Sequence, residues 1–466
     1  MLPALDTPRF KGTLQRAQPG PVSSIARQGQ DLLAKWSPEV DKVLLTKATT
    51  RNAITYHLSP DASREALLDA IRNAKHSFHI ETFIWHNDES GNEIIRALAE
   101  KKAEAKREGR DFDAKVLIDS VGLREGTGGA KDKLIVAKLE AIGVEVLKFN
   151  AKFVSLAPVG VPITHRKLYI ADGEKFITGG RNIGDEYLKP NFQAKDGPEV
   201  SWHDFLYTVH GDEAGRVQRE FYRNWEEAGG EVPAVMPKSV PHPTGTVTIQ
   251  SIVTNPHEEI FGLREAHSKA ISNAQREIVA IFPYFSDDQL VQELITAKRK
   301  NAERREALAS KARTPMERQA VLRAVPELSI KVLLPGKQET GLEGGIYPQL
   351  NLETARQLLS AGIEVRLFDG GQIDGKDVAR FSHFKGMAID GKLLSLGSAN
   401  ADARTYVANH ELNTLIADER AVKDFFEQVV NPDWNSARPL TLAEIGKASF
   451  FQRILRKVLE AFDFLL

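Results

Sequence analysis

The sequence predicts an α/β protein of two tandem domains, built on one plan and meeting at one site. Three observations predict it. First, a motif His-x-Lys-x4-Asp occurs twice, as His165, Lys167 and Asp172 and again as His383, Lys385 and Asp390. Each copy is followed, 17 residues after its histidine, by an asparagine, Asn182 or Asn400. The stretches HRKLYIADGEKFITGGRN and HFKGMAIDGKLLSLGSAN align without a gap, Gly179 falling on Gly397. Second, β-rich runs alternate with helical periodicity in the same order on either side of the chain's middle, the pattern of α/β layers and of an internal repeat. Third, a stretch holding Pro233, Pro237, Pro241 and Pro243 separates the copies, which marks a linker.

Residues 1–46 read as an amino-terminal arm, and 47–232 as the first domain. Arg64 to Ala74 has the apolar spacing of a helix, HSFHIETFIW reads as a strand, and NEIIRALAEKKAEAKREG as a second helix. AKVLIDS, KLIVAKLEAIG and VEVLKFN continue as strand, helix and short strand up to the first motif. After the linker at 233–245, the second domain (246–434) repeats the series. Arg264 to Ala274 is its first helix and REIVAIFPYF its first strand; DQLVQELITAKRKNAERREAL, SIKVLLPG, ETARQLLSAG and IEVRLFD follow. Two segments have no counterpart. Lys298 to Arg323, interrupted by Pro315, is charged and reads as a solvated helical insertion. Residues 435–466 carry Ile445, Phe450, Phe451, Ile454, Leu455, Val458, Leu459 and Phe462 largely on one helical side, with Lys447, Arg453, Arg456 and Lys457 nearby. That amphipathic helix suits docking on the body or peripheral contact with a membrane surface.

The composition narrows the functions. With 466 residues, 42% of them hydrophobic, the chain supports two sizeable cores. Lys plus Arg (62) nearly balances Asp plus Glu (63), so no global basic surplus favours nucleic acid. Cysteine is absent, which excludes disulfides, thiolate metal sites and a cysteine nucleophile. The first residues lack a secretory pattern, and no apolar run approaches the ~18–20 residues of a spanning helix. The expectation is a cytoplasmic protein without signal peptide or transmembrane helix.

Histidine attacks phosphorus as a nucleophile or protonates a departing oxygen near neutrality, and two histidines in one site supply both roles. Lys167 and Lys385 beside them neutralise charge developing on phosphoryl oxygens. Asn182, Asn400 and the hydroxyl of Ser398, which falls opposite Gly180, are candidate phosphate-binding groups. Asp204 and Glu411, in the strand-like runs SWHDFLYTV and ANHELNTLI, are candidates to orient the histidines. Asp172 and Asp390 precede glycine in hairpin-like turns and read as structural. A metal is disfavoured, since no HExxH or thiolate pair exists and each HxK sets a cation beside any ligand. No GxSxG supports a serine hydrolase. No cofactor is expected.

With these motifs the chain resembles the phospholipase D superfamily, whose hallmark is a doubled HxKxxxxD with GGxN or GSxN following. ITGGRNIGDEY, the later WHD and FYRNWEE look most like bacterial cardiolipin synthase-type members. The resemblance implies two α/β/α sandwich domains related by a pseudo-twofold axis, with the active site at their interface. It implies a covalent phosphohistidine, with His165 as nucleophile and His383 as general acid and then base, and a phospholipid substrate handled by hydrolysis or phosphatidyl transfer. A nuclease or other phosphodiesterase is the alternative, and an inactive binding protein a third reading. One chain carries both half-sites, so a monomer suffices. The loops Lys189 to Glu199, Gly336 to Gln349 and Gly370 to Arg380 are candidate rims.

Overall fold

The computed structural model describes residues 47–125, 133–151, 161–190, 192, 201–235, 238–336, 342–373 and 376–446. The expected arm at 1–46 and the tail beyond 446 lie outside the described residues.

In the first half the strands are β1 (Thr49–His57), β2 (Ser77–Thr82), β3 (Asp113–Asp119), β4 (Glu145–Phe149), β5 (Leu168–Ala171), β6 (Lys175–Gly179), β7 (Ser201–His203) and β8 (Leu206–Gly211). The second half contributes β9 (Val247–Asn255), β10 (Ile260–Phe261), β11 (Glu277–Ile281), β12 (Ser329–Pro335), β13 (Glu364–Phe368), β14 (Gly370–Ile373) and β15 (Lys376–Ser382). It continues with β16 (Gly386–Ile389), β17 (Leu393–Gly397), β18 (Glu411–Ile416) and β19 (Arg438–Pro439). Among the described residues, all but β7, β14 and β15 belong to one continuous sheet. Read outward from its centre, the two arms run β1-β8-β6-β5-β2-β3-β4 and β9-β18-β17-β16-β11-β12-β13, the same path strand for strand. β1 and β9 are therefore equivalent strands, and they pair antiparallel, Thr49 opposite Ile249. Two equivalent strands paired antiparallel are related by a local twofold, so the repeat becomes a pseudo-symmetric molecule.

Central strands are apolar on both faces because helices cover both. In β5, Leu168 and Ile170 enter one core while Tyr169 and Ala171 enter another. The first of these cores is common to both halves: it runs from Phe149, Phe205 and Trp225 to Ile278, Leu396 and Phe425. The covering helices begin where local chemistry starts them. Ser59 caps Pro60–Asn73 through the Ala62 N–H, with Pro60 supplying a preset φ at the first turn. Asp287 caps Asp288–Ala309 through the Leu290 N–H, while its carboxylate also pairs with Arg264.

Two expectations need adjustment. Pro315 opens a second helix, Pro315–Ala324, behind a Thr314–Glu317 capping box, so the charged insertion is a helical hairpin and not a broken helix. The chain after 434 is not one helix from residue 435. Arg438–Pro439 pairs with β13 as an edge strand, where a proline is tolerated, and Leu442–Gly446 then forms a short helix with Ile445 buried.

Candidate active site

Both motifs sit where a strand of one half enters beside the other half. His165 precedes β5, and its backbone N–H donates to the carbonyl of His410 at 3.0 Å. His383 precedes β16, and its N–H donates to the carbonyl of His203 at 2.9 Å. β15, which leads into His383, runs parallel to β7 with Ser382 opposite His203; the matching bridge joins Thr164 to His410. Each motif histidine is thus sewn by its backbone to the other half.

The side chains repeat the exchange. His165 Nδ1 lies 3.0 Å from Glu411 Oε1, and His383 Nδ1 lies 2.7 Å from Asp204 Oδ2. A carboxylate accepts only, so each Nδ1 carries the hydrogen and each Nε2 presents a lone pair. Lys167 Nζ donates to the carbonyl of His165 and Lys385 Nζ to that of His383, both at 2.8 Å. Both lysines are fully buried. Burial, with Lys385 adding repulsion, holds the Lys167 ammonium well below its ordinary pKa.

The protonation of the two pairs differs. Burial and then Lys167 bring the His165 pKa down to about 4, against the opposing pull of Glu411. Burial alone would raise the Glu411 carboxyl, but His165, Lys167 and the Ser398 hydroxyl hold it below its ordinary value. At the other pair burial pushes Asp204 up, with Lys385 and Arg181 only partly offsetting it. Burial and the two lysines depress His383 well below the usual histidine range. The two carboxylates are therefore shifted in opposite directions, Glu411 toward the ionised form and Asp204 toward the protonated one, so the two like pairs are electrostatically unequal.

Asn182 and Asn400 are buried at the ends of β6 and β17. Asn182 Oδ1 accepts from the Ile84 N–H at 3.3 Å, which fixes the orientation of its amide. Asp172 takes the N–H groups of Lys75, His76 and Ser77 at 2.7–2.9 Å, and Asp390 takes those of Gln275, Arg276 and Glu277. Each sits at φ 55° before a left-handed glycine in its hairpin, clamping the turn to the start of β2 or β11 and away from the histidines.

Ser398 departs from the expected phosphate contact. It is fully buried, its hydroxyl donates to Glu411 Oε2 and it accepts from the Leu412 N–H at 3.1 Å. The counterpart is instructive: a Cβ on Gly180 would come within 2.2 Å of Asp204 Oδ2. The shorter carboxylate of Asp204 leaves no room for a side chain there, whereas Glu411, one methylene longer, reaches past Ser398.

Several neighbours escaped the sequence reading. His383 is boxed by Trp202 (ring centroids 4.5 Å apart), Phe381, Tyr187 and Tyr284, while Phe83 stands edge-on to His165 at 5.4 Å. Arg166, inside the first motif, is fully buried and donates through Nε to the carbonyl of Glu411 at 3.3 Å; the second motif has Phe384 there. Arg181 lies buried against the carbonyl oxygens of Asp204 and Tyr187. An arginine in otherwise apolar motif surroundings was the available signal. The expected rims are described only in part: 191, 193–199, 337–341 and 374–375 lie outside the described residues.

Comparison with known proteins agrees with this geometry. The family described as "Cardiolipin synthase, PLD-like domain" matches residues 67–195 and 268–434. The chain belongs to this phospholipase D-like family. It is 26% identical to "Cardiolipin synthase 2" of Staphylococcus epidermidis over 436 residues, covering 90% of this chain and 76% of that one. With the "Cardiolipin synthase" of Clostridium perfringens it shares 26% over 414 residues, 87% of this chain and 75% of the other. The crystal structure of phosphatidylserine synthase from Haemophilus influenzae superposes with a TM-score of 0.62 at 14% identity, over 96% of this chain and 100% of that one, a likeness of fold. The chain is an enzyme of phospholipase D type, and its doubled half-site is the two-region match of the family. Among the described residues, no helix is long and apolar enough to cross a membrane.

Proposed function

We propose that this enzyme transfers a phosphatidyl group from one alcohol to another through a covalent phosphohistidine, with phosphatidylglycerol as donor and acceptor and cardiolipin as product. The observation that carries the reading is the exchanged pair of His–carboxylate contacts, His165–Glu411 and His383–Asp204, with two buried lysines between opposed half-sites. The relatives' names supply the substrate class.

His165 Nε2 attacks phosphorus, the bond to the departing glycerol oxygen breaks, and His383 gives that oxygen its proton. A hydroxyl of a second phosphatidylglycerol then loses its proton to His383 and attacks the phosphohistidine, and His165 leaves. The depressed Glu411 supports this order, because an ionised carboxylate stabilises the positive ring that phosphorylation of His165 creates. Lys167 and Lys385 repel a proton from His383, and an anionic phosphodiester between them offsets that repulsion, so the acid is charged when substrate binds. The amides of Asn182 and Asn400 hold the remaining phosphoryl oxygens. One chain suffices, and contact with the membrane surface is peripheral, through the apolar and basic segment after residue 446.

The test is an assay of the purified protein on phosphatidylglycerol vesicles with chelator present, scoring cardiolipin, phosphatidic acid and glycerol by mass spectrometry, with His165→Ala alongside. Cardiolipin and glycerol from the wild type alone are the expected result. Phosphatidic acid in place of cardiolipin would make water the acceptor, and inert vesicles with cleavage of single-stranded DNA would overturn the lipid reading.

A further inference from the structure

Next to the His165 half-site, at His410, whose carbonyl takes the His165 N–H, three side chains converge that the chemistry above does not use. Glu227 ends the helix Ala214–Glu227, His257 lies in the single turn Pro256–Glu258, and His410 immediately precedes β18. Their candidate ligating atoms all lie within 4.8 Å of one another. His257 Nδ1 touches Glu227 Oε1, and His410 Nε2 lies 3.6 Å from the same oxygen.

The hydrogen bonds around His410 fix which of its nitrogens is bare. Asn224 Nδ2 donates to Glu81 Oε1 at 2.6 Å, so Asn224 turns its Oδ1 toward His410 Nδ1, 3.2 Å away. An amide oxygen accepts only, so His410 Nδ1 carries the hydrogen and Nε2 the lone pair. That Nε2 is fully buried, has no hydrogen-bond partner among the described residues, and lies 3.6 Å from the Glu227 carboxylate. A lone pair and a carboxylate are both acceptors, so the contact calls for something positive between them, a shared proton or a metal cation. The symmetry-related histidine gives the contrast: His203 Nε2 meets Asp433 directly at 2.8 Å, and among the described residues no third candidate ligand joins them.

We propose that Glu227, His257 and His410 bind one first-row divalent cation of the zinc type, as a site separate from the phosphoryl-transfer centre. Two imidazoles and a carboxylate are a common zinc ligand set, completed by water. With Zn–ligand distances of ~2.0–2.2 Å, neighbouring ligand atoms in a tetrahedron stand ~3.4 Å apart, close to the His410–Glu227 separation. Asn224 then has the place of the outer partner that orients a ligating imidazole through its other nitrogen. Glu227 and His257 are exposed, which opens a path to solvent. The nearby cations do not dominate the site: Arg166 lies 4.0 Å from Glu81, and Arg223 lies 3.5 Å from both Glu220 and Glu258. Since the carbonyl of His410 receives the His165 N–H and Glu411 is the next residue, the ion clamps the segment that orients the nucleophile.

The experiment is titration of the untagged, chelator-stripped full chain with Zn2+ against a chromophoric competitor, and with Co2+ read by visible absorption. His257→Ala and Glu227→Gln are measured in parallel, with near-ultraviolet circular dichroism confirming their fold. The proposal expects one equivalent bound by the wild type, a Co2+ band characteristic of nitrogen and oxygen ligands, and loss of the band in both variants. Affinity should fall by more than the ~10–100-fold that removal of an outer partner costs. Zn2+ binding that is absent in the wild type, or equal in wild type and both folded variants, overturns it; a proton shared by His410 and Glu227 then explains the contact. Binding is read without lipid, so the outcome is independent of the phosphatidyl-transfer reading.

Discussion

Glu411 Oε1 lies 3.0 Å from Nδ1 of His165, although 246 residues separate them in the chain. The reciprocal pair, Asp204 with His383, spans 179 residues in the opposite sense, the carboxylate here preceding its histidine. Neither half therefore holds a finished half-site: each supplies a histidine and orients the histidine of the other. Glu411→Gln and Asp204→Asn keep the shape but replace an acceptor by an amide whose NH2 can face Nδ1, which favours the tautomer with its hydrogen on Nε2. Each is expected to lower kcat by ~10²–10⁴-fold, the scale of a mis-set tautomer in a histidine–carboxylate pair, with little change in KM. Steady-state kinetics on phosphatidylglycerol vesicles and NMR of the imidazole nitrogens check this, and a variant within twofold of wild type refutes the orienting role.

The inequality between Gly180 and Ser398 makes a second prediction. A side chain at 180 meets the Asp204 carboxylate, since a Cβ there would fall 2.2 Å from Oδ2. Gly180→Ser should displace Asp204 and cost activity like Asp204→Asn, even though it restores the residue of the other copy. Ser398→Ala removes one hydrogen bond from a buried carboxylate that keeps its histidine partner. The expected loss is about tenfold, equivalent to ~1.4 kcal/mol, just under the ~1.5–3 kcal/mol of a hydrogen bond to a charged group because Glu411 keeps its histidine partner. The reverse ranking of the two variants in kcat would count against this account of the asymmetry.

Much of this site was legible in the sequence because an exact spacing repeated over distance is hard to produce except by duplication. The histidines, lysines, asparagines and both orienting carboxylates were named from that spacing and from strand-like context. Which carboxylate serves which histidine was not legible, because the crossing depends on the sheet being continuous. The strands that make it so, β1 and β9, drew no notice: TTRNAITYH and VTIQSIVTN are rich in β-branched residues but lack clean apolar–polar alternation, and although both are paired on both edges, only β9 is buried almost throughout. Ser398 was misplaced for a related reason. A hydroxyl beside a motif asparagine suits phosphate on paper, and only the strand β18 behind it reveals a carboxylate acceptor.

The turn aspartates separate stability from chemistry. Asp172 and Asp390 each gather three backbone N–H groups and touch neither histidine. Asp390→Ala leaves those donors at the head of β11 and removes a residue suited to φ 55°. A loss of ~2–4 kcal/mol is expected from charged-acceptor bonds of this kind, read as a lower midpoint in urea. The remaining folded enzyme should turn over at the wild-type kcat. A large kcat effect at full folding would instead give these residues a part in the reaction.

The depressed His165 pKa fixes the sign of a pH effect. Its folded value is about 4 against an unfolded value near 6.5, so between those limits the unfolded chain binds a proton that the native chain refuses. Stability therefore rises with pH across that window and is lost as pH falls from about 6.5 toward 4, by on the order of 3 kcal/mol from this residue. His383 is depressed further by burial and both lysines, and adds to the loss in the same direction. Lys167→Met removes repulsion from both rings, and in that variant the His165 and His383 resonances should titrate closer to neutrality while the acid-side loss of stability shrinks. Urea denaturation at pH 5 and pH 7 compares the two proteins directly. In the proposed mechanism the same substitution strips a cation from the phosphoryl oxygens, so turnover should fall by ~10²–10³-fold, the scale of one lost electrostatic contact in a buried site. Better acid tolerance together with lost catalysis is the expected result, because the charge that the proposed mechanism sets against the transferring phosphoryl group also adds to burial in keeping the free enzyme's histidines neutral. Unchanged acid stability in Lys167→Met would mean that burial alone sets the pKa of His165.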